Sequence, residues 1–142
     1  MLFARMPEQV VRLPCQRAAA TGGTPTEAAI MLIYKICPEA LWHEAEAMGG
    51  FAGSPLDRAD GFIHFSTAAQ ARDTVFRHFA GQADLLLVAV EAESLGEALR
   101  YEPSRGGDLF PHLYGTLPLS AVRWVRPLPL DSAGCHVFPD LA

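Results

Sequence analysis

The chain has 142 residues, half of them hydrophobic and 19% charged, with a formal net charge of −5. That is one domain's worth of polypeptide with enough apolar side chains for a core, which excludes wholesale disorder. No apolar run approaches the ~20 residues that span a bilayer, so no membrane segment is expected, and the excess of acidic groups disfavours long nucleic acid as a partner.

Residues 1–29 carry Gly22-Gly23, Pro25 and an Ala18-Ala19-Ala20 run without a sustained apolar period. Three arginines (Arg5, Arg12, Arg17) face two glutamates here, while the remainder carries about −6 (8 basic less 14 acidic). Arg12, Pro14 and Arg17 interrupt every candidate signal-peptide core, so this piece reads as a flexible extension and a cytoplasmic location is expected. A single domain is expected over residues 30–130, followed by a tail over residues 131–142. Nothing in the sequence indicates an oligomeric state.

From residue 31 strand and helix signals alternate. Residues 31–36 form a short apolar, β-branched run and read as a strand. Pro38 stands where a first helical residue belongs, Leu41, Ala45 and Met48 follow at helical spacing, and Gly49-Gly50 ends the helix. Residues 51–60, rich in Gly, Ser, Pro and Asp, read as a loop, and residues 62–66 as the next strand. Thr67 with Gln70 makes a capping box for a helix whose stripe is Ala71, Val75 and Phe79. Residues 85–90 are continuously apolar between Asp84 and Glu91, as in a central strand covered on both faces. Ser94 and Glu97 cap a short helical turn, residues 99–102 suggest a brief strand at a cleft edge, and residues 103–118 read as a long irregular loop. Residues 121–126 give the last strand, which Pro127 and Pro129 stop. The order suits a compact α+β domain.

Cys15, Cys37 and Cys135 are odd in number and far apart, with no C-x-x-C pair, so free thiols are expected rather than a disulfide framework or zinc site. Two segments concentrate polar chemistry. In Phe62-Ile63-His64-Phe65-Ser66 the period of two sets Ile63 and Phe65 on one face, His64 and Ser66 on the other. Such a face is either a cleft wall or the seat of a hydrogen-bonded core histidine. Asp57, Arg58 and Asp60 lie just before it. The second segment, residues 100–115, holds Arg100, Tyr101, Glu102, Arg105, Gly106-Gly107, His112 and Tyr114; the glycine pair lets backbone N–H groups approach an anion, with Arg105 beside it. A binding cleft for a nucleotide or small anionic ligand is the expectation, against a rigid turn closed by a salt bridge. His64 and His112 are expected to converge on it. No H-x-H or H-E-x-x-H spacing calls for a metal, no G-x-S-x-G for a serine hydrolase, and no G-x-G-x-x-G for a dinucleotide loop.

Gly-Ser-Pro-Leu-Asp-Arg-Ala-Asp-Gly-Phe-Ile-His-Phe-Ser-Thr (53–67) and Arg-Tyr-Glu-Pro-Ser-Arg-Gly-Gly-Asp-Leu-Phe-Pro-His-Leu-Tyr-Gly (100–115) resemble the small bacterial proteins of domain-of-unknown-function family 952. The resemblance implies an ADP-ribosyltransferase-like fold, two small sheets packed at an angle around a cleft that in active relatives holds NAD as substrate. Residues 58–65 also resemble the Arg…His-Ile-His stretch of RNA 2′-phosphotransferases, with Phe62 at the place of one histidine. Carried onto this chain, the resemblance implies that His64 contacts ribose hydroxyls, with Ser66 on its face of the strand. It implies Tyr101 or Tyr114 stacked on nicotinamide, Arg58 or Arg105 on the pyrophosphate, and Glu102 stabilising a ribosyl cation. His112 would complete the lining, and no metal is implied. Three readings follow: an enzyme acting on NAD or an ADP-ribosyl group, a non-catalytic binding domain for a nucleotide or anionic metabolite, and a protein-interaction module.

Overall fold

The computed structural model describes residues 31–104 and 107–141. The extension over residues 1–29 and the candidate Arg105 lie outside the described residues. Strand β1 (Leu32–Pro38) leads into α1 (Glu39–Met48), and β2 (Gly50–Phe51) into the short helix α2 (Pro55–Asp60). After β3 (Ile63–His64) and β4 (Ser66–Thr67) come α3 (Ala68–His78) and β5 (Leu85–Glu91). A 3-10 segment (Ala92–Ala98) precedes β6 (Leu99–Pro103), β7 (Leu109–Leu113), β8 (Leu117–Pro118) and β9 (Val122–Pro127). Among the described residues no helix is long and apolar enough to cross a membrane.

The strands make a four-stranded sheet ordered β4-β1-β5-β9, a three-stranded sheet ordered β3-β7-β6 and a β2-β8 ribbon. Strand β5 is central, with all of Leu85 to Val90 buried, because both faces of its sheet are covered. Alternation sends Leu85, Leu87 and Ala89, with Tyr34 and Ile36 of β1, to the face under Ala71 and Val75 of α3. Phe138 and Leu141, beyond the last strand, pack on this same layer. Leu86, Val88 and Val90, with Ile33 and Cys37, face the opposite way, onto Trp42 and Ala45 of α1 and onto Phe51, Ile63, Phe65, Leu113 and Leu117. Each such aliphatic side chain contributes about 1.5–3 kcal/mol by leaving water.

The fold is thus mixed α+β with several small sheets. The space between the two larger sheets is filled by these apolar side chains. Ile63 and Leu113 face that core, so His64 and His112, one residue away on each strand, share the opposite face of the three-stranded sheet. Lys35, which alternates on β1 with Ile33 and Cys37, points into the layer between the sheets.

Several local expectations need correction. The strand expected over residues 62–66 is two strands of different sheets, with Phe65 between them donating its N–H to Pro111 O at 3.0 Å. His64 and Ser66 consequently part company. Helix α1 buries Trp42 and Ala45, while Met48 stands 77% exposed, because the helix turns its Trp42 edge to the sheet. Residues 51–60 contain a helix, and residues 103–118 contain β7 and β8. Cys37 is a free, buried thiol whose burial pushes it up to about 11. Cys135 is disulfide-bonded, against the expected free thiol; spacing along a chain does not report proximity in space.

Candidate functional site

The site begins with α2. Ser54 Oγ accepts the Asp57 N–H at 3.2 Å, and Asp57 Oδ2 accepts the Ser54 N–H at 2.8 Å, a capping box with Pro55 pre-set for the first helical turn. This turns the Asp57 carboxylate inward, where it is 1% exposed. Gly53 makes room: its φ is +109°, and a Cβ there would lie 2.9 Å from Asp57 Cβ. Only glycine meets both demands.

Onto that carboxylate comes Lys35, the only lysine of the chain, which reaches across from β1 to place Nζ 2.8 Å from Oδ2. Its side chain is 8% exposed, so the pair is buried and each charge depends on the other. Asp57 Oδ1 also accepts the backbone N–H of His64 at 3.2 Å and lies 2.6 Å from His64 Nδ1. The outer nitrogen of that ring, Nε2, is 2.9 Å from Asp60 Oδ2. The Nδ1 contact is a hydrogen bond, whereas Nε2 and Asp60 stand at ion-pair distance without hydrogen-bond alignment.

Burial alone would raise the Asp57 carboxyl, but the hydrogen bond from His64, the charge and hydrogen bond of Lys35 and the Ser54 N–H outweigh it and hold the group well below the usual carboxylate range. The sign of the linkage follows: the unfolded chain, with an ordinary aspartate near 3.8, takes up the proton first as pH falls. Stability from Asp57 is complete above that value and lost progressively below it. Urea midpoints measured from pH 6 to pH 2.5 should fall on the acid side, and the slope should shrink in Asp57→Asn. An equal slope in both proteins would show that the carboxyl is not depressed.

The second half of the site is carried by β6 and β7. His64 pairs directly with His112 across β3 and β7, and His112 with Arg100 across β7 and β6. The period of two then puts Glu102 beside His112 on the same face. His112 Nδ1 donates to Glu102 Oε1 at 2.8 Å, and Tyr114 OH donates to the same oxygen at 2.7 Å. These hydrogen bonds, that of His112 first, hold the Glu102 carboxyl below its usual range, and the bond to Glu102 raises the Tyr114 phenol. Glu102 remains 33% exposed, so an ionised carboxylate faces outward.

Phe62 ties the halves together. Its ring stacks on His112 at 4.1 Å and lies 4.7 Å from His64 and 5.2 Å from Tyr114, centroid to centroid. The two imidazoles meet edge to face at 5.5 Å. Arg100 lies over Tyr114, 5.5 Å from its ring centre. Phe62 also lines a cleft of about 300 Å³ that it shares with Asp57, Arg58 and Thr116. Among the described residues no group of three or more His, Cys, Asp or Glu is placed to hold a metal ion.

A family model described as "Protein of unknown function (DUF952)" matches residues 36–125. The chain belongs to this family. The matched span runs from β1 into β9 and includes Asp57, His64, Glu102, His112 and Tyr114. The chain is also similar to the crystal structure of protein CC0527 from Caulobacter crescentus, at 53% identity and a TM-score of 0.72, over 75% of this chain and 93% of that one. Against the solution NMR structure of CC0527 the identity is 54% and the TM-score 0.66, over 72% of this chain and 89% of that one. No curated protein matches the chain.

Of the residues expected at the site, this DUF952 chain brings together His64, His112, Glu102 and Tyr114, with Arg58 exposed at the adjoining cleft. Ser66 is elsewhere: it is 2% exposed on the other sheet, and its hydroxyl is bonded to that of Thr74 at 2.9 Å. Tyr101 alternates with Glu102 and so falls on the other face of β6, opposite Pro111. Sequence reasoning noted Asp57, Asp60 and Arg100 near the histidines without giving them a role, and missed Lys35 and Phe62 as members. Two signals were available: a lysine inside the apolar run Leu-Ile-Tyr-Lys-Ile-Cys demands a buried partner, and Ser-Pro-x-Asp is a helix start.

Proposed function

We propose that the Phe62, His64, Glu102, His112 and Tyr114 face, with the adjoining cleft, binds NAD or an ADP-ribosyl group and transfers or cleaves at the ribosyl carbon. One observation carries this reading: a solvent-facing Glu102 carboxylate, held ionised by His112 and Tyr114, stands beside a stack of aromatic faces. In such a reaction the bond between ribose C1′ and the nicotinamide nitrogen breaks, the electron pair leaves with nicotinamide, and positive charge develops on the ribose. Water or an acceptor hydroxyl bonds to C1′ and gives up its proton to solvent. A fixed carboxylate at that point stabilises the transition state more than the substrate. Phe62 and Tyr114 offer faces for a flat base. The partly exposed His64 serves the oxygens flanking the ribose, while buried His112 holds Glu102 in place. Arg58, which has no ion-pair partner among the described residues, takes the pyrophosphate. The α+β architecture of small sheets supports an ADP-ribosyltransferase-like arrangement.

The second reading, a non-catalytic binding domain, is favoured by the two hydrogen bonds that already occupy one oxygen of Glu102. A thermal-shift series with NAD, ADP-ribose, nicotinamide and simple nucleotides tests both. A ligand at one hundred times its Kd should stabilise the protein by about 2.7 kcal/mol. A flat response to all of them would leave the protein-interaction reading in place of both.

A further inference from the structure

The two carboxylates on His64 differ in kind. Asp57 is 1% exposed and anchored by Lys35, Ser54 and the backbone of His64. Asp60 is 43% exposed, and beyond its contact with His64 Nε2 it makes no other hydrogen bond or ion pair among the described residues. Asp57 therefore fixes the ring from behind, leaving Nε2 directed toward the exposed side, where Asp60 meets it. A carboxylate held this loosely, 2.9 Å from Nε2, occupies space that an oxyanion from solution would take.

Resting on the reading above, we propose that His64 Nε2 is the docking point for an anionic oxygen of the ligand, a phosphate or pyrophosphate oxygen, and that Asp60 fills this point until the ligand displaces it. The surroundings suit an anion once Asp60 swings away. Arg58 lines the neighbouring cleft together with Phe62, whose ring packs on His64 at 4.7 Å. Asp57 does not repel the incoming charge as a bare carboxylate would, because Lys35 neutralises it at 2.8 Å. The proposal also separates two roles for His64. A ribose hydroxyl at the same nitrogen would be accepted by Asp60, making Asp60 a helper; a phosphate oxygen makes it a competitor.

The test is calorimetric titration of the full chain with inorganic pyrophosphate and, separately, ADP-ribose. Asp60→Asn should bind pyrophosphate at least fivefold tighter than the unaltered protein, and Asp60→Ser should show the same gain. In a His64→Gln background the gain should vanish. Asp73→Asn, which removes an exposed carboxylate paired with Arg77 on α3, should give none. Unchanged or weaker pyrophosphate binding by both Asp60 variants would overturn the proposal, as would a gain that survives His64→Gln, since that is charge acting at a distance. Weaker ADP-ribose binding by Asp60→Asn, with pyrophosphate unaffected, would assign Asp60 to a ribose hydroxyl instead and overturn it too. If the unaltered protein binds ADP-ribose but Asp60→Asn binds nothing more tightly, only this inference fails. If neither protein binds either probe, the reading of the site fails and takes the inference with it.

Discussion

Replacing Asp57 with alanine should lower the unfolding free energy by about 3–5 kcal/mol, the cost of stripping one partner from a buried ion pair. The substitution leaves the Lys35 ammonium, 8% exposed, without its counter-charge, and removes the acceptor for Ser54 N–H, His64 N–H and His64 Nδ1. The same change releases the capping box, which adds to the loss. Adding Lys35→Met should recover a large part of it, because removing both halves of a buried pair is far cheaper than removing one. Urea denaturation of the three proteins reads this out. A loss below about 1 kcal/mol in Asp57→Ala would mean that the pair is wet and weak, in the range of surface salt bridges.

Glu102→Gln should reduce turnover on NAD roughly 10²- to 10³-fold while leaving ligand affinity within a few-fold, if Glu102 stabilises charge that appears only in the transition state. Glutamine keeps an oxygen to accept from His112 and Tyr114, so the face should stay assembled. Comparison of kcat with the calorimetric Kd separates the two functions. Equal losses in both would place Glu102 in ground-state binding. A protein that binds ligand, shows no turnover and is indifferent to Glu102→Gln is the non-catalytic binding domain.

How far the sequence disclosed this arrangement depended on the range of the forces involved. Local signals carried well: the Thr67–Gln70 capping box starts α3 as its residues suggest, and the uninterrupted run through Val90 is the doubly covered central strand. Long-range pairing was less legible. Strand β7 contains Pro111, which breaks the expected pattern of a central strand, and it is recognisable only through its register with β3 and β6. Helix α2 is six residues long and sits among Gly and Pro that read as loop, although Ser54, Pro55 and Asp57 each stand in the right cap position. The histidine pair was visible as chemistry in the sequence, yet its setting was not. Alternation on β3 could not reveal that Phe65 passes the chain to another sheet, which removes Ser66 from the site. Tyr101 and Tyr114 looked equivalent along the chain, and only the register of β6 against β7 distinguishes them. Lys35 was the clearest missed clue, because a single lysine inside an apolar strand must find an anion, and its anion is the carboxylate that orients His64.

The most direct measurement is an imidazole-resolved NMR titration with ADP-ribose. The account predicts that the ring signals of His64 and His112 move together and saturably, along with the aromatic signals of Phe62 and Tyr114. The rings of His43 on α1 and His136 near the C-terminus should stay put. Saturable shifts at His43 or His136 with His64 and His112 unmoved would contradict it, and so would a titration that moves no ring at all.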